Sequence, residues 1–164
     1  SWDLIMNYSN KYISTTILKD NTPLQLGLET LVNLGYKNVE LGSTHPYEKN
    51  IKKILEGFKC KYLLHNYFPT PKKELIVNIC SNDSSLREKS IKHIEERIIF
   101  SSEINAGLFT FHPGYISEPI SANIDNQNWD FVYDRSKNKP LHYEDAFELM
   151  LDAVKRFVKI AEKY

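Results

Sequence analysis

Short apolar runs of strand type alternate with longer stretches whose apolar residues recur every three or four positions, from residue 11 to the end of the chain. KYISTTIL (11–18) is rich in β-branched residues and predicts a strand. Thr22-Pro23-Leu24-Gln25 then reads as a helix start of the capping-box kind, with Thr22 as N-cap, Pro23 at the first helical position and Gln25 at the third. Leu24, Leu28, Leu31 and Val32 follow at helical spacing, and Gly35 closes the helix. KNVELGS (37–43) predicts the second strand, and 47–58 a helix with Ile51, Ile54, Leu55 and Phe58 on one face. CKYLLHNYF (60–68) predicts the third strand, followed by a loop over 69–83 rich in Pro, Lys and Asn. Ser85 and Glu88 open a long helix with Ile91, Ile94 and Ile98 on its inner stripe, ending at Gly107. LFTF (108–111) predicts the fourth strand, and 113–141 a long polar loop. The last helix, 143–163, carries Ala146, Met150, Ala153, Val154, Phe157 and Ala161 as one stripe.

Four strand–helix units in succession imply parallel strands joined by right-handed helical crossovers. The expected fold class is therefore α/β, a parallel (β/α)4 unit, with a flat, doubly wound four-stranded sheet as the structural alternative. Residues 1–10 are set aside as an N-terminal extension or added residues, and 11–164 as a single domain. The two long loops both follow strands, the side on which parallel α/β proteins carry their chemistry.

Composition removes several classes. Lys plus Arg balance Asp plus Glu at 21 each, so nothing in the overall charge favours a nucleic-acid partner. No apolar run approaches the roughly 20 residues of a membrane span, and the N-terminus lacks the pattern of a signal peptide. Cys60 and Cys80 have no metal-like spacing and read as reduced thiols, which places the protein in the cytoplasm.

The five histidines divide into two groups. His93 and His142 fall in or beside helices and are expected on the surface. His45, His65 and His112 each follow a strand, with Glu40 at the end of the second. Together they are expected to line a cleft with groups that donate protons, accept them or bind metal. A carboxylate such as Glu40 at a buried strand end is costly unless it is paired or bound. His45, beside a proline, fits a solvated loop equally well. Asn66 either orients a substrate hydroxyl or caps its turn. Tyr67 and Tyr115 either wall a pocket or belong to the core.

YISTTI, NVELGS with its glutamate, LLHNYF and FTFHPGY, taken in order, resemble the first four strands of the xylose isomerase-like (β/α)8 barrel family. That family contains sugar and sugar-phosphate isomerases and epimerases, and also endonuclease IV. The sugar-phosphate branch shares a strand ending in His-Asn, a strand ending in His-Pro-Gly and a loop like VNICSND (77–83). The resemblance implies catalytic roles for Glu40, His65 and His112, and substrate contacts for His45, Asn66, Tyr67 and Tyr115. It also implies proton transfer through an enediolate, assisted by a divalent ion (Zn, Mn or Mg). In the sugar branch the metal ligands lie on strands five to eight. In the endonuclease branch His65 and His112 would themselves hold zinc. A non-catalytic small-molecule binding module is the third reading.

A (β/α)8 barrel needs about 250 residues. The resemblance therefore makes this chain the N-terminal half of a TIM-type barrel, catalytically dead on its own. Two unpaired sheet edges and an apolar inner wall would favour self-association or contact with the other half.

Overall fold

The computed structural model describes residues 11–73, 75–118, 121–123, 128–130 and 140–164, the two short internal stretches by backbone alone. The expected N-terminal extension, 1–10, lies outside the described residues. Four strands, β1 (Ile13–Ser14), β2 (Asn38–Leu41), β3 (Lys61–His65) and β4 (Phe109–Thr110), form one parallel sheet. Their order in the sheet is β1-β2-β3-β4, the same as in the chain. A doubly wound sheet reverses its order about a switch point. This one does not, so the fold is a singly wound (β/α)4 unit, of the kind that makes up half of a TIM-type barrel.

The chain packs as two compact units, each described here by itself. One takes the described residues of 1–74 with Arg97–Phe111; the other takes Leu75–Glu96 with His112–Tyr164.

The first unit holds the sheet. Between its strands run α1 (Leu24–Asn33) and α2 (Ile51–Glu56). Strand residues point alternately to the two faces. Ile13, Val39, Leu41, Tyr62, Leu64 and Phe109 share one face and pack with Leu24, Leu28, Leu31, Ile51, Leu55 and Phe68 in a single core. Phe68 tilts against Phe100, from the C-terminal part of α3 (Ser84–Glu103). At about 25 cal/mol per Å² of apolar surface, each fully buried leucine here contributes roughly 2 kcal/mol before conformational entropy is subtracted.

Several ends differ from expectation. β1 stops at Ser14 because Thr15–Ile17 turn into a 3-10 helix, whose Thr16 amide donates to the Ser14 hydroxyl. No capping box forms: α1 begins after Pro23, the Thr22 hydroxyl donates to the Lys19 carbonyl, and the Gln25 amide to Glu29. Gly35 does close the helix, at φ +90 in the left-handed region. α3 is capped by the Asp83 carboxylate, which accepts from the Ser85 and Leu86 amides, rather than by Ser85.

In the second unit, Val77, Ile79 and Cys80 are buried, as are Ile91 and Ile94 of α3, while Ile98, in the part of α3 that belongs to the first unit, is half-buried. The polar stretch expected to be a plain loop contains an antiparallel pair, β5 (Ser121–Asn123) and β6 (Asn128–Asp130). α4 (Tyr143–Ala161) buries Ala146, Ala153 and Phe157 of its expected stripe, half-buries Met150 and Val154 and leaves Ala161 exposed. Its Arg156 reaches both Glu88 and Glu95 on α3. His93, expected on the surface, is 5% exposed on the inner side of α3; His142 is exposed as expected. Among the described residues no helix is long and apolar enough to cross a membrane. Both cysteines are free thiols.

Candidate functional site

Strand register builds the site. Ser14 stands opposite Glu40, Glu40 opposite Leu63, and His65 opposite Thr110. Partners across parallel strands share a face, as do residues two apart on one strand. Ser14, Glu40, Leu63, His65 and Thr110 therefore lie on one face, opposite the helix-packed core. In a closed β/α barrel this face is the interior, and the C-terminal strand ends are its mouth. The expectation of an apolar inner wall is corrected here. Of these five residues only Leu63 is apolar, because the strands' apolar positions are used on the helix side.

Of these five residues the two ionisable ones, Glu40 and His65, are each held by a hydroxyl from the neighbouring outer strand. Ser14 Oγ donates to Glu40 Oε1 at 2.9 Å, and Thr16 Oγ1 lies 2.9 Å from the same Ser14 oxygen. His65 Nδ1 lies 2.9 Å from Thr110 Oγ1. Glu40 and His65 are both half-buried. Ser14 and Thr110 were not singled out in the sequence. Their signal is the alternation in YIST and LFTF, where a polar residue follows an apolar one that enters the core.

Asn66 follows His65 directly, is 2% exposed and adopts φ +24, a left-handed conformation that asparagine tolerates better than most residues. Its amide donates to the Thr110 carbonyl at 2.7 Å, which extends the strand pairing into the turn. Tyr67 is half-buried. His45 is 3% exposed, which leaves its ring inside the domain rather than on an accessible surface. Its Nδ1 donates to the Thr22 carbonyl at 2.7 Å, and its ring meets Phe68 edge-on. The buried Nε2 has no hydrogen-bond partner among the described residues. Burial lowers the pKa of this ring, partly offset by the Thr22 carbonyl. Cys60 lines a cavity of about 550 Å³ with Tyr12, Phe58, Tyr62 and Ile104, at the opposite end of β3 from His65.

His112 and Tyr115 belong to the second unit. His112 is exposed and Tyr115 half-buried, with burial raising the phenol's pKa. Their loop is tied down by Asn78, which is fully buried and was not given a role from the sequence. Asn78 Oδ1 accepts from the Tyr115 and Cys80 amides, and its Nδ2 donates to the Tyr115 carbonyl and to Glu118. The Ile79 amide adds a bond to the Pro113 carbonyl. Burial raises the Cys80 thiol pKa and the nearby Glu118 adds to it, so this thiol is held in its protonated form.

A divalent ion needs a gathered donor set. Among the described residues no group of three or more His, Cys, Asp or Glu could hold one. The residues described do not make a metal site by themselves, and no chemical step is derived through one.

The family described as xylose isomerase-like TIM barrel matches residues 28–164. Among solved structures, a D-tagatose 3-epimerase-like protein superposes with a TM-score of 0.62 at 19% identity, covering 93% of this chain and 48% of its own. D-psicose 3-epimerase from Clostridium cellulolyticum H10 superposes with a TM-score of 0.61 at 14% identity, covering 92% of this chain and 48% of its own. At these identities the likeness is one of fold. This chain spans about half the length of the solved structures it matches. No curated protein matches the sequence.

Proposed function

Because this chain belongs to the xylose isomerase-like TIM barrel family, we propose that it supplies one half of the active site of a sugar or sugar-phosphate isomerase or epimerase. The observation that carries the reading is the pairing of Glu40 with Ser14 and of His65 with Thr110 on one face. An acid–base group and an imidazole lie near the strand ends where barrel enzymes work. Solved neighbours of the same fold are described as epimerases of D-psicose and similar to those of D-tagatose.

Such a reaction moves a proton between adjacent carbons of an open-chain sugar. The substrate's C–H bond breaks, its electron pair moves into an enediolate, and the proton returns to the neighbouring carbon or the opposite face. Glu40 would hold or relay a proton, His65 would bind a sugar oxygen, and Asn66 and Tyr67 would border the same strand end. His45 would shape the loop from inside. His112 and Tyr115 would contact substrate from the loop of the second unit that Asn78 secures. Any divalent ion of the intact protein would draw its ligands from outside the described residues.

Among the described residues β1 and β4 are the two edges of the sheet, and a sheet edge presents backbone groups that can pair with another strand. A second (β/α)4 unit, from a second copy or from further polypeptide, would close them. The isolated chain is then expected to bind sugar weakly and to turn none over. The zinc phosphodiesterase reading would need a gathered set of three or more ligands, and none gathers among the described residues.

The test is a titration followed by amide NMR, using D-tagatose, a ketose phosphate and, separately, a DNA duplex with an abasic site plus zinc. Ketose-dependent shifts at Glu40, His65 and Asn66, lost in Glu40→Gln with His65→Ala, are the expected result. Shifts from the duplex alone would replace the sugar reading with the phosphodiesterase one. Binding without turnover in a closed, two-half assembly would leave a binding module.

A further inference from the structure

α4 carries a second apolar line beside the stripe it buries. Ala146, Ala153 and Phe157 are the buried ones. Tyr143, Phe147, Leu151, Val154 and Val158, each three or four residues after the last, run along the neighbouring side of the helix. Tyr143 is 69% exposed, Phe147 41% and Val158 49%, with Leu151 and Val154 half-buried between them. The Tyr143 and Phe147 rings stack at 6.1 Å. A lone apolar residue on a surface needs no explanation, whereas a contiguous apolar line marks a contact.

The charges along the helix indicate what covers it. Within α4 every acidic residue, from Glu144 to Asp152, precedes every basic one, from Lys155 to Lys159. That order suits the helix dipole, but the dipole acts only on the end turns, and Glu148 and Lys155 lie inside them. Glu148 directly follows Phe147 and Lys155 directly follows Val154, so the two flank the line on the same side. Both are exposed. Lys155 pairs with Asp152 one turn back, an ion pair whose side chains are 68% and 72% exposed and which is readily exchanged for another.

We propose that a second copy of this chain lays its own α4 antiparallel on this line. Leu151 of one copy then meets Val154 of the other, Phe147 meets Val158, and Glu148 stands beside Lys155. Each contact occurs twice about a two-fold axis. A parallel pair would bring the two Glu148 carboxylates to one level and the two Lys155 ammonium groups to another, so charge selects the antiparallel arrangement. A partner of uniform charge would match only half of the helix. The contact depends neither on the sugar reading nor on closure of the sheet edges.

The experiment is sedimentation velocity on the whole chain over a wide range of concentration. The wild type is expected to show a reversible monomer–dimer equilibrium. Phe147→Glu should raise its dissociation constant about a hundredfold. Glu148→Lys and Lys155→Glu should each raise it about tenfold, because each sets like charges opposite one another. Mixed together, those two charge variants should associate as tightly as wild type, since the mixed pair has opposite charges at both places. All three positions are exposed, and the charge-variant mixture reads the contact even if Phe147→Glu does not fold. A chain that stays monomeric at every concentration overturns the proposal. So does a dimer indifferent to all three substitutions, which would be held through the sheet edges instead, and so does a mixture that associates no better than its components.

Discussion

Gly114 leaves room for Asn78: a Cβ added to Gly114 would stand 2.9 Å from the Asn78 Cα and run into the Asn78 side chain. Gly114 also has φ +123, which residues with a side chain rarely adopt. The glycine of the His-Pro-Gly element is thus explained by packing, and His112 is carried on a loop that Asn78 can approach closely. Gly114→Ala is expected to cost about 2 kcal/mol through backbone strain and the displaced contact, read as a lower urea midpoint. A midpoint equal to wild type would show that the loop can step aside freely.

Asn78 makes its bonds with no exposure to water. Replacing it with Ala strands the Tyr115 and Cys80 amides and the Tyr115 carbonyl, an expected loss of about 3 kcal/mol. Amide exchange should speed first at Tyr115 and Cys80; protection persisting there would refute the clamp.

His45 gives the fold a pH dependence. Its folded-state pKa lies below the ordinary value of 6.5, because burial disfavours the charged ring more than the Thr22 carbonyl favours it. The unfolded chain therefore binds the extra proton more readily. Its contribution is fully present above about pH 6.5 and is lost as pH falls below that value. Melting temperature should drop from pH 7 to pH 5 in the wild type and drop less in His45→Gln. Equal slopes for the two proteins would count against the assignment.

The Arg156 fork to Glu88 and Glu95 lies on the surface, with the arginine side chain 43% exposed. Bonding to Arg156 lowers the Glu88 pKa, yet solvent and salt screen such pairs strongly. Arg156→Ala should cost less than about 1 kcal/mol in low salt, and the difference from wild type should shrink in high salt. A loss of several kcal/mol would mean that Arg156 acts through packing instead.

How much of this was legible in the sequence depended on whether the signal was local. The four strands and their parallel order follow from runs such as NVEL and KYLLH set between amphipathic helices, each readable on its own. Glu40 and His65 stood out because charged or titratable groups at strand ends are conspicuous. Ser14 and Thr110 did not, since their meaning lies in register, which needs two strands at once. The caps failed for a related reason. Thr22 had a nearer acceptor in the Lys19 carbonyl, and Asp83 outcompeted Ser85 for the first amides of α3. His93 was misplaced because a polar side chain on a weakly amphipathic helix carries no mark of which face turns inward. The β5–β6 pair, three residues a side, was too short for its alternation to show.

The parity of the strands ties chemistry to folding. Val39 and Leu41 enter the core while Glu40 between them does not, and Leu64 enters while His65 does not. Sliding either strand by one place would sink a carboxylate or an imidazole into hydrocarbon and lift a leucine out. A lineage carrying this sheet could not retune the alignment of its reactive groups gradually. It would have to exchange side chains in place, on a backbone whose alignment is guarded by the stability of the whole unit.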